Sequence, residues 1–423
     1  MRSQIARKLC AAIAGATLIG SAAACSSASS GSSASAGSGG ATQTVTFLAS
    51  STTQVGFEAA IKRFEAVYPN IKVNATYLPI TQVQTQLTTQ LASGSAPDAF
   101  ITNPGTGVVG VQKLGQQGYL ADLSSEPWAA SVSPDAKAMI SVGSSVYGYP
   151  TSEVLYFTAY NTSIFAQAGL SVPKTFADLV ASCATLHAKG ITPIALPGDV
   201  TSQLGLTVTT MAASSTYAAD PTWNTARAAG STTFAGTAGW QQAVTEFQAL
   251  KNADCFQSGS QSSAFPDAAS LFSTGKAAML ITWSTQLAQI TAATPSLKYS
   301  VFPVPGATAT DTRLMIGTSV TVSVNAKANA ATKTFVEFLG QPDQRAAFAA
   351  SAGDVVPAAD ASVKLPAQYS ALQPYLTAAS TVNNPVFVWG GTAFPALGTE
   401  TQGLLTGQTT PASVLAAVDT AWG

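Results

Sequence analysis

Between Val45 and Ile101 the chain switches repeatedly between two hydrophobic periods, and few folds accept that pattern. Val45-Thr46-Phe47-Leu48 reads as a short strand. Phe57, Ile61, Phe64 and Tyr68 then recur at helical spacing until Pro69-Asn70 stop the helix. Ile71, Val73 and Tyr77 fall on alternating positions, as in a strand. Ile80, Val83, Leu87 and Leu91 share one helical face, and Gly94 closes it. Asp98-Ala99-Phe100-Ile101 reads as another buried strand. Strand-helix-strand-helix-strand predicts an α/β fold, a parallel sheet covered by helices.

The pattern changes near Tyr147-Gly148-Tyr149-Pro150, where an apolar strand from Val154 to Tyr160 follows. Thr175 caps a helix with Asp178 three residues on. Phe176, Leu179, Cys183 and Leu186 share its inner face, so Cys183 is expected to be buried. A strand returns at Ile191 to Leu196. Residues 201–235 read only as helix and loop. A helix with Trp240, Val244 and Phe247 leads to Cys255. Pro266 to Thr274 is helical, Gly275 breaks it, and Ala277 to Trp283 is a strand. Val320, Val322 and Val324 alternate in a further strand, a helix with Phe335, Phe338 and Leu339 follows, and the C-terminal stretch is helical to Trp422.

The first residues add a location. Arg2, Arg7 and Lys8 precede an apolar run from Leu9 to Ile19, then Ala22-Ala23-Ala24 lead into Cys25. A basic start, a short apolar core and small residues at the cut make a secretory signal, residues 1–24. The core is too short to span a membrane, which takes about 20 apolar residues. Small residues directly before a cysteine resemble a bacterial lipobox, which implies that Cys25 is acylated and anchors the mature chain. Cleavage nearby without lipid is the alternative. Ser26 to Ala41 contains only Ser, Ala and Gly, so residues 25–43 form a flexible tether. Such a coil reaches roughly 20–25 Å. With Cys10 in the signal and Cys25 at the anchor, Cys183 and Cys255 remain as a pair in an oxidising compartment. A disulfide between them would close a loop of about 70 residues, worth roughly 3–4 kcal/mol; two buried thiols are the alternative.

Composition narrows the chemistry. Only 9% of the 423 residues are charged and the net charge is −1, which argues against nucleic acid or anionic lipid as partners. His187, the sole histidine, lies on a helix expected to pack on a sheet, so a Ser-His-Asp or Cys-His site has little to build on. No His/Cys cluster has zinc spacing. Gly105 and Gly107 lack the third glycine of a dinucleotide loop. Asp98, Glu153 and Asp199 are the carboxylates available for glycoside hydrolysis. No cofactor or metal is expected. What remains suits binding: aromatic faces for sugar C–H surfaces, and Asp, Asn, Gln and Thr for hydroxyls, at strand ends where open α/β sheets place ligands.

Several segments together resemble the extracellular solute-binding proteins of ABC importers, carbohydrate-binding group. They are Arg63-Phe64-Glu65-Ala66-Val67-Tyr68-Pro69-Asn70-Ile71-Lys72-Val73, Gly94-Ser95-Ala96-Pro97-Asp98, Tyr147-Gly148-Tyr149-Pro150 and Tyr160-Asn161. To these add Ala168-Gly169-Leu170 with Pro173-Lys174-Thr175-Phe176-Ala177-Asp178-Leu179, and Phe272-Ser273-Thr274-Gly275-Lys276-Ala277-Ala278-Met279 ahead of Trp283. Their order covers nearly all of the mature chain.

The resemblance implies a two-lobed, periplasmic-binding-protein-like fold with hinge strands and a central ligand cleft. Lobe one would hold residues 44–152 and 318–352, lobe two 153–317 and 354–423, with crossings near Ser152-Glu153, Gly317-Thr318 and Gly353. Cys183 and Cys255 then share lobe two. The resemblance implies a monomeric lipoprotein on the outer face of the cytoplasmic membrane, binding a neutral sugar or oligosaccharide by hinge closure and delivering it to permease subunits, with no chemistry of its own. A same-fold binder of another solute, a cell-surface glycoside hydrolase and a sensor or adhesive lipoprotein are the alternatives.

For site residues, Trp283 matches the family position that stacks on a sugar ring. Ser51 and Thr52 follow the first strand, and Thr102 and Asn103 the third; they bond sugar hydroxyls or cap loops. Glu153 lies at a crossing, as a hydroxyl acceptor or a hinge residue. Asp199 and Gln203 occupy the loop after a lobe-two strand. Trp389 and Phe394 lie where the family often supplies a second aromatic plate. Asp98, before its strand, is expected to be structural, as are Trp128 and Trp240.

Overall fold

The computed structural model describes residues 42–356, 365–376 and 379–423. The signal, Cys25 and nearly all of the tether lie outside the described residues. Among those described, no helix is long and apolar enough to cross a membrane.

Thirteen strands occur among the described residues. In chain order they are β1 (Gln43–Ser50), β2 (Ile71–Leu78), β3 (Ala99–Thr102), β4 (Ser141–Val142), β5 (Ser145–Val146), β6 (Tyr149–Pro150), β7 (Glu153–Asn161), β8 (Thr192–Ala195), β9 (Ala277–Trp283), β10 (Tyr299–Phe302), β11 (Leu314–Thr318), β12 (Thr321–Val324) and β13 (Thr381–Asn383). Apart from the β4-β5 hairpin they form two sheets, ordered β2-β1-β3-β12-β6 and β13-β11-β7-β9-β8, with β10 also on β7. Each sheet with its helices makes one lobe.

The first sheet opens with the parallel β2-β1-β3 unit that the alternating periods predict. The helices Gln54–Val67 and Ile80–Ser93 cover it because their apolar stripes face inward: Phe57 and Phe64 on one, Val83, Leu87 and Leu91 on the other. Gly94 ends the second helix in the left-handed conformation. The core of this lobe is phenylalanine set edge to face. Phe47 and Phe57 lie 4.8 Å apart, and Phe64 and Phe335 lie 5.1 Å apart. Asp98 ties the unit together, its carboxylate accepting from the Thr46 amide at 2.8 Å and hydroxyl at 2.6 Å. Trp128 is buried beside Tyr149.

The second sheet is built around β7, which pairs antiparallel with β9, β10 and β11. Thr175 and Asp178 form a capping box at the start of the helix Phe176–His187. Cys183 on that helix is joined to Cys255 by a disulfide, with a Cα–Cα separation of 5.2 Å. The core here is indole: Trp240 lies 5.7 Å from Trp223 and 5.4 Å from Trp389. His187 is exposed. Two stretches depart from the expected pattern. Ahead of the expected C-terminal helices, Ala393–Thr406 and Pro411–Trp422, the chain adds β13 to the sheet and the 3-10 segments Ala367–Tyr375 and Pro385–Val388, which the sequence did not mark. β11 also keeps its pairing with Glu153 as far as Thr318, so the chain leaves the second sheet just after the expected point.

Candidate ligand cleft

Three segments pass between the lobes, and hydrogen bonds lace them together. Ser319 N donates to Ser152 O at 2.8 Å, and the Thr151 hydroxyl donates to Val320 O at 2.7 Å. Glu153 and Val355 exchange both main-chain bonds, at 2.8 and 3.1 Å. Asp354 sits at the centre of this knot and is 2% exposed. Ser152 Oγ donates to one carboxylate oxygen at 2.8 Å and Ser284 Oγ to the other at 2.5 Å. Burial dominates over these hydroxyl donors and pushes the Asp354 carboxyl up to about 7.

Beside the knot lies a cavity of about 270 Å³. Lobe one contributes Ser51 and Thr52, lobe two contributes Thr285 and Gln289, and Ser152, Ser319 and Asp354 come from the crossings. Ser51 and Thr52 are placed by the 3-10 turn that follows β1, capped by the Ser50 hydroxyl. Apart from Asp354 these polar groups are neutral hydroxyls and an amide, while Val55, Ala288, Ala292 and Phe348 supply an apolar wall.

Trp283 ends β9 and precedes the helix Ser284–Ala293. It is half-buried and faces Tyr156 across the β7-β9 register, with ring centroids 6.1 Å apart. Asn384 Nδ2 donates to the Tyr156 hydroxyl at 3.0 Å, and burial raises that phenol to about 12, so it stays neutral. Val154, Met315, Leu206 and Val382 complete an apolar bed under the indole.

The remaining expected residues divide by what their side chains already do. Thr102 is buried, its hydroxyl bonded to Thr321 Oγ1 and to Ser323 Oγ at 2.8 Å across β3 and β12. Asn103 is half-buried and its main chain, not its amide side chain, forms the bonds to Val109 and Val111. Glu153 accepts from Ser133 Oγ at 3.3 Å, a contact between the lobes. Asp199 is exposed in the loop before the helix Thr201–Ala212. Gln203 is not in a loop. It sits in the first turn of that helix, 2% exposed, its amide donating to Ile281 O and accepting from Gln286. Trp389 is 7% exposed in the indole core, and its Nε1 donates to Asn224 at 3.2 Å. Phe394 is half-buried against Trp389, with centroids 6.5 Å apart.

Tyr156, Asn384, Thr285, Gln289 and Asp354 escaped the sequence reading. Only Asp354 left a signal, as an acid directly after the expected crossing glycine. Among the described residues no group of three or more His, Cys, Asp and Glu could hold a metal ion.

Two lobes, laced crossings and an inter-lobe cavity with hydroxyls set against an apolar wall define a hinged binding shell. Comparison with known proteins gives that class a family. Residues 49–346 match the model of the bacterial extracellular solute-binding protein family, and the chain belongs to it. A multiple sugar-binding protein of Streptococcus mutans is 29% identical over 138 residues, 33% of this chain and 32% of that one. An uncharacterized ABC transporter extracellular-binding protein of Pyrococcus horikoshii is 29% identical over 154 residues, 34% of each chain. The chain thus spans about a third of the length of these curated relatives. Among solved structures, the solute-binding protein RafE in complex with raffinose aligns with a TM-score of 0.76 at 20% identity, covering 90% of this chain and 98% of that one. A chitin oligosaccharide binding protein aligns with a TM-score of 0.74 at 22% identity, covering 90% and 98%. At these identities the structural likeness speaks for the fold.

Proposed function

We propose that this chain captures a neutral sugar or oligosaccharide between its lobes and delivers it to the permease of an ABC importer. The observation that carries the reading is the chemistry of the cleft. Lobe one and the crossings offer hydroxyls around the 270 Å³ cavity, with Asp354 the one acid in its lining, and lobe two carries a half-buried indole at the end of β9, next in the chain to the Ser284 that bonds Asp354. Sugar hydroxyls pair with the first and C–H faces pack on the second. The multiple sugar-binding relative and the raffinose-bound neighbour support the same ligand class.

In this reading the lobes divide close to residues 44–152 with 318–352 and 153–317 with 354–423. Trp283 stacks on the ligand, Ser51, Thr52 and Asn103 bond its hydroxyls, and Glu153 serves the hinge. Thr102, Gln203 and Trp389 support the scaffold, since their polar atoms already have partners. Asp199 and Phe394 flank the second lobe and take no assigned contact. Hinge closure follows from differential affinity: a ligand that touches both lobes favours the state in which both touch it. The protein carries out no reaction, and the anchor at Cys25 keeps a monomer at the outer face of the cytoplasmic membrane.

A thermal-shift screen over neutral mono- and oligosaccharides, raffinose included, tests this. A ligand at 1,000 times its Kd stabilises by roughly 4 kcal/mol, so a bound sugar raises the melting temperature and is recovered unchanged. A released product would identify a hydrolase instead. A panel without any shift would overturn the ligand class.

A further inference from the structure

The glycine pair that fails as a nucleotide loop has another use. Gly105 lies in the turn after β3, buried, with φ +77°, and its amide donates to Met139 O at 2.7 Å within lobe one. The next amide, Thr106 N, donates to Phe387 O at 3.1 Å. Phe387 belongs to lobe two, in the 3-10 turn Pro385–Val388 that follows β13. Asn384, which caps that turn, is held by the Tyr156 hydroxyl. Main chain therefore meets main chain across the cleft, and the approach is close. A Cβ on Gly105 would overlap the Phe387 carbonyl oxygen and lie 2.9 Å from its carbonyl carbon. Carbonyl groups held in a sheet-linked turn cannot rotate away as a flexible side chain can. Gly107, two residues on, meets nothing within 4 Å.

We infer that Gly105 is a main-chain latch for lobe closure: with no side chain there, the Thr106 amide docks on the Phe387 carbonyl, and any side chain at 105 holds the lobes apart. The inference rests on the hinge-closing reading above, but it concerns a contact that forms without ligand. Two costs coincide at 105. A positive φ strains any residue with a Cβ, and the overlap with Phe387 arises only when the lobes meet. The first cost acts on the open and closed forms alike. The second acts on the closed form alone and shifts the equilibrium.

Trapping the contact in the full-length, ligand-free protein tests the latch. A parent carrying Thr106→Cys with Phe387→Cys, and Cys10→Ser with Cys25→Ser to remove the other free thiols, is oxidised mildly, and the rate of cross-linking is read by mass spectrometry. The disulfide requires Cα atoms within about 7 Å, so it reports closure even when the closed form is a minor one. The parent cross-links. Adding Gly105→Ala slows the reaction at least tenfold. Gly107→Ala leaves it within twofold, and so does Gly118→Ala, which has φ +74° but nothing within 4 Å and so carries the strain without the overlap. A parent that does not cross-link overturns the latch, and so does a Gly105→Ala variant that cross-links as fast as the parent. If Gly105→Ala fails to fold while Gly118→Ala folds, the parent's cross-linking decides whether the contact forms. Sugar plays no part in this measurement, so an empty saccharide screen would break the ligand assignment and leave the latch standing.

Discussion

The two lobes meet the cleft with different materials. Around the cavity lobe one gives the short hydroxyls of Ser51 and Thr52 with the Phe348 ring and lobe two gives Thr285 and Gln289; away from it, lobe one adds the main chain of the Gly105-Thr106 loop. Lobe two presents rings, with Trp283 against Tyr156 over an apolar bed. Their interiors differ in the same sense. Lobe one packs phenylalanines edge to face without a covalent tie, whereas lobe two packs indoles and adds the Cys183–Cys255 disulfide. Main chain held in turns fixes position but buries little area. Rings bury area and supply affinity, provided that their scaffold is stiff. Under the proposed function, Trp283 gives grip to lobe two and the turns give fit to lobe one.

Removing the disulfide is the heaviest blow to that contrast. Cys183→Ala with Cys255→Ala is expected to lower the stability of lobe two by roughly 3–4 kcal/mol. Hydrogen exchange would show amides of β7 to β9 losing protection while β1 to β3 keep theirs. Equal loss in both sheets would mean that the lobes do not differ in this way.

The knot between the lobes comes next. Asp354 ordinarily titrates near 3.8 and is held near 7 by burial, so the folded chain binds its proton more tightly than the unfolded chain. Its contribution is complete below the unfolded value and is lost as pH rises through about 7. Between those limits the wild-type protein should lose on the order of 2–4 kcal/mol, and Asp354→Asn should remove that slope. Urea titrations across this window measure it, and parallel curves for the two proteins would refute the assignment.

Two binding variants sharpen the division of labour. Trp283→Ala should weaken saccharide binding by roughly 1–3 kcal/mol, with folding intact. Thr52→Ala should cost under about 1 kcal/mol, because one exposed hydroxyl is replaced in part by water. Calorimetry on both proteins reads the ratio, and a larger loss at Thr52 than at Trp283 would reverse the roles of the lobes.

The sequence displayed the local parts of this molecule well. Periodicity marked β1 to β3 and β9, and Thr175 with Asp178 announced their capping box, since each is decided by neighbours in the chain. The helix Thr201–Ala212 was hidden because it is buried on several sides, and its threonines at 207, 209 and 210 return their hydroxyls to carbonyls one turn back. The polar face of an amphipathic helix is missing there. β13 spans only Thr381–Asn383, too short to show an alternation. The site divided in the same way. Ser51 and Thr52 follow a visible strand and line the cavity. Thr102 follows the same logic, but its hydroxyl is taken by residues 219 and 221 positions away. Tyr156 and Asn384 are joined over 228 positions, and nothing local announces such a pairing.

The central claim is that two lobes shut on an uncharged sugar, and small-angle scattering tests it most directly. With the sugar that gives the largest thermal shift at saturation, the account predicts a smaller radius of gyration than for the free protein, and a smaller change in the Trp283→Ala variant at the same concentration. A scattering profile that stays identical with every sugar of the panel would contradict it.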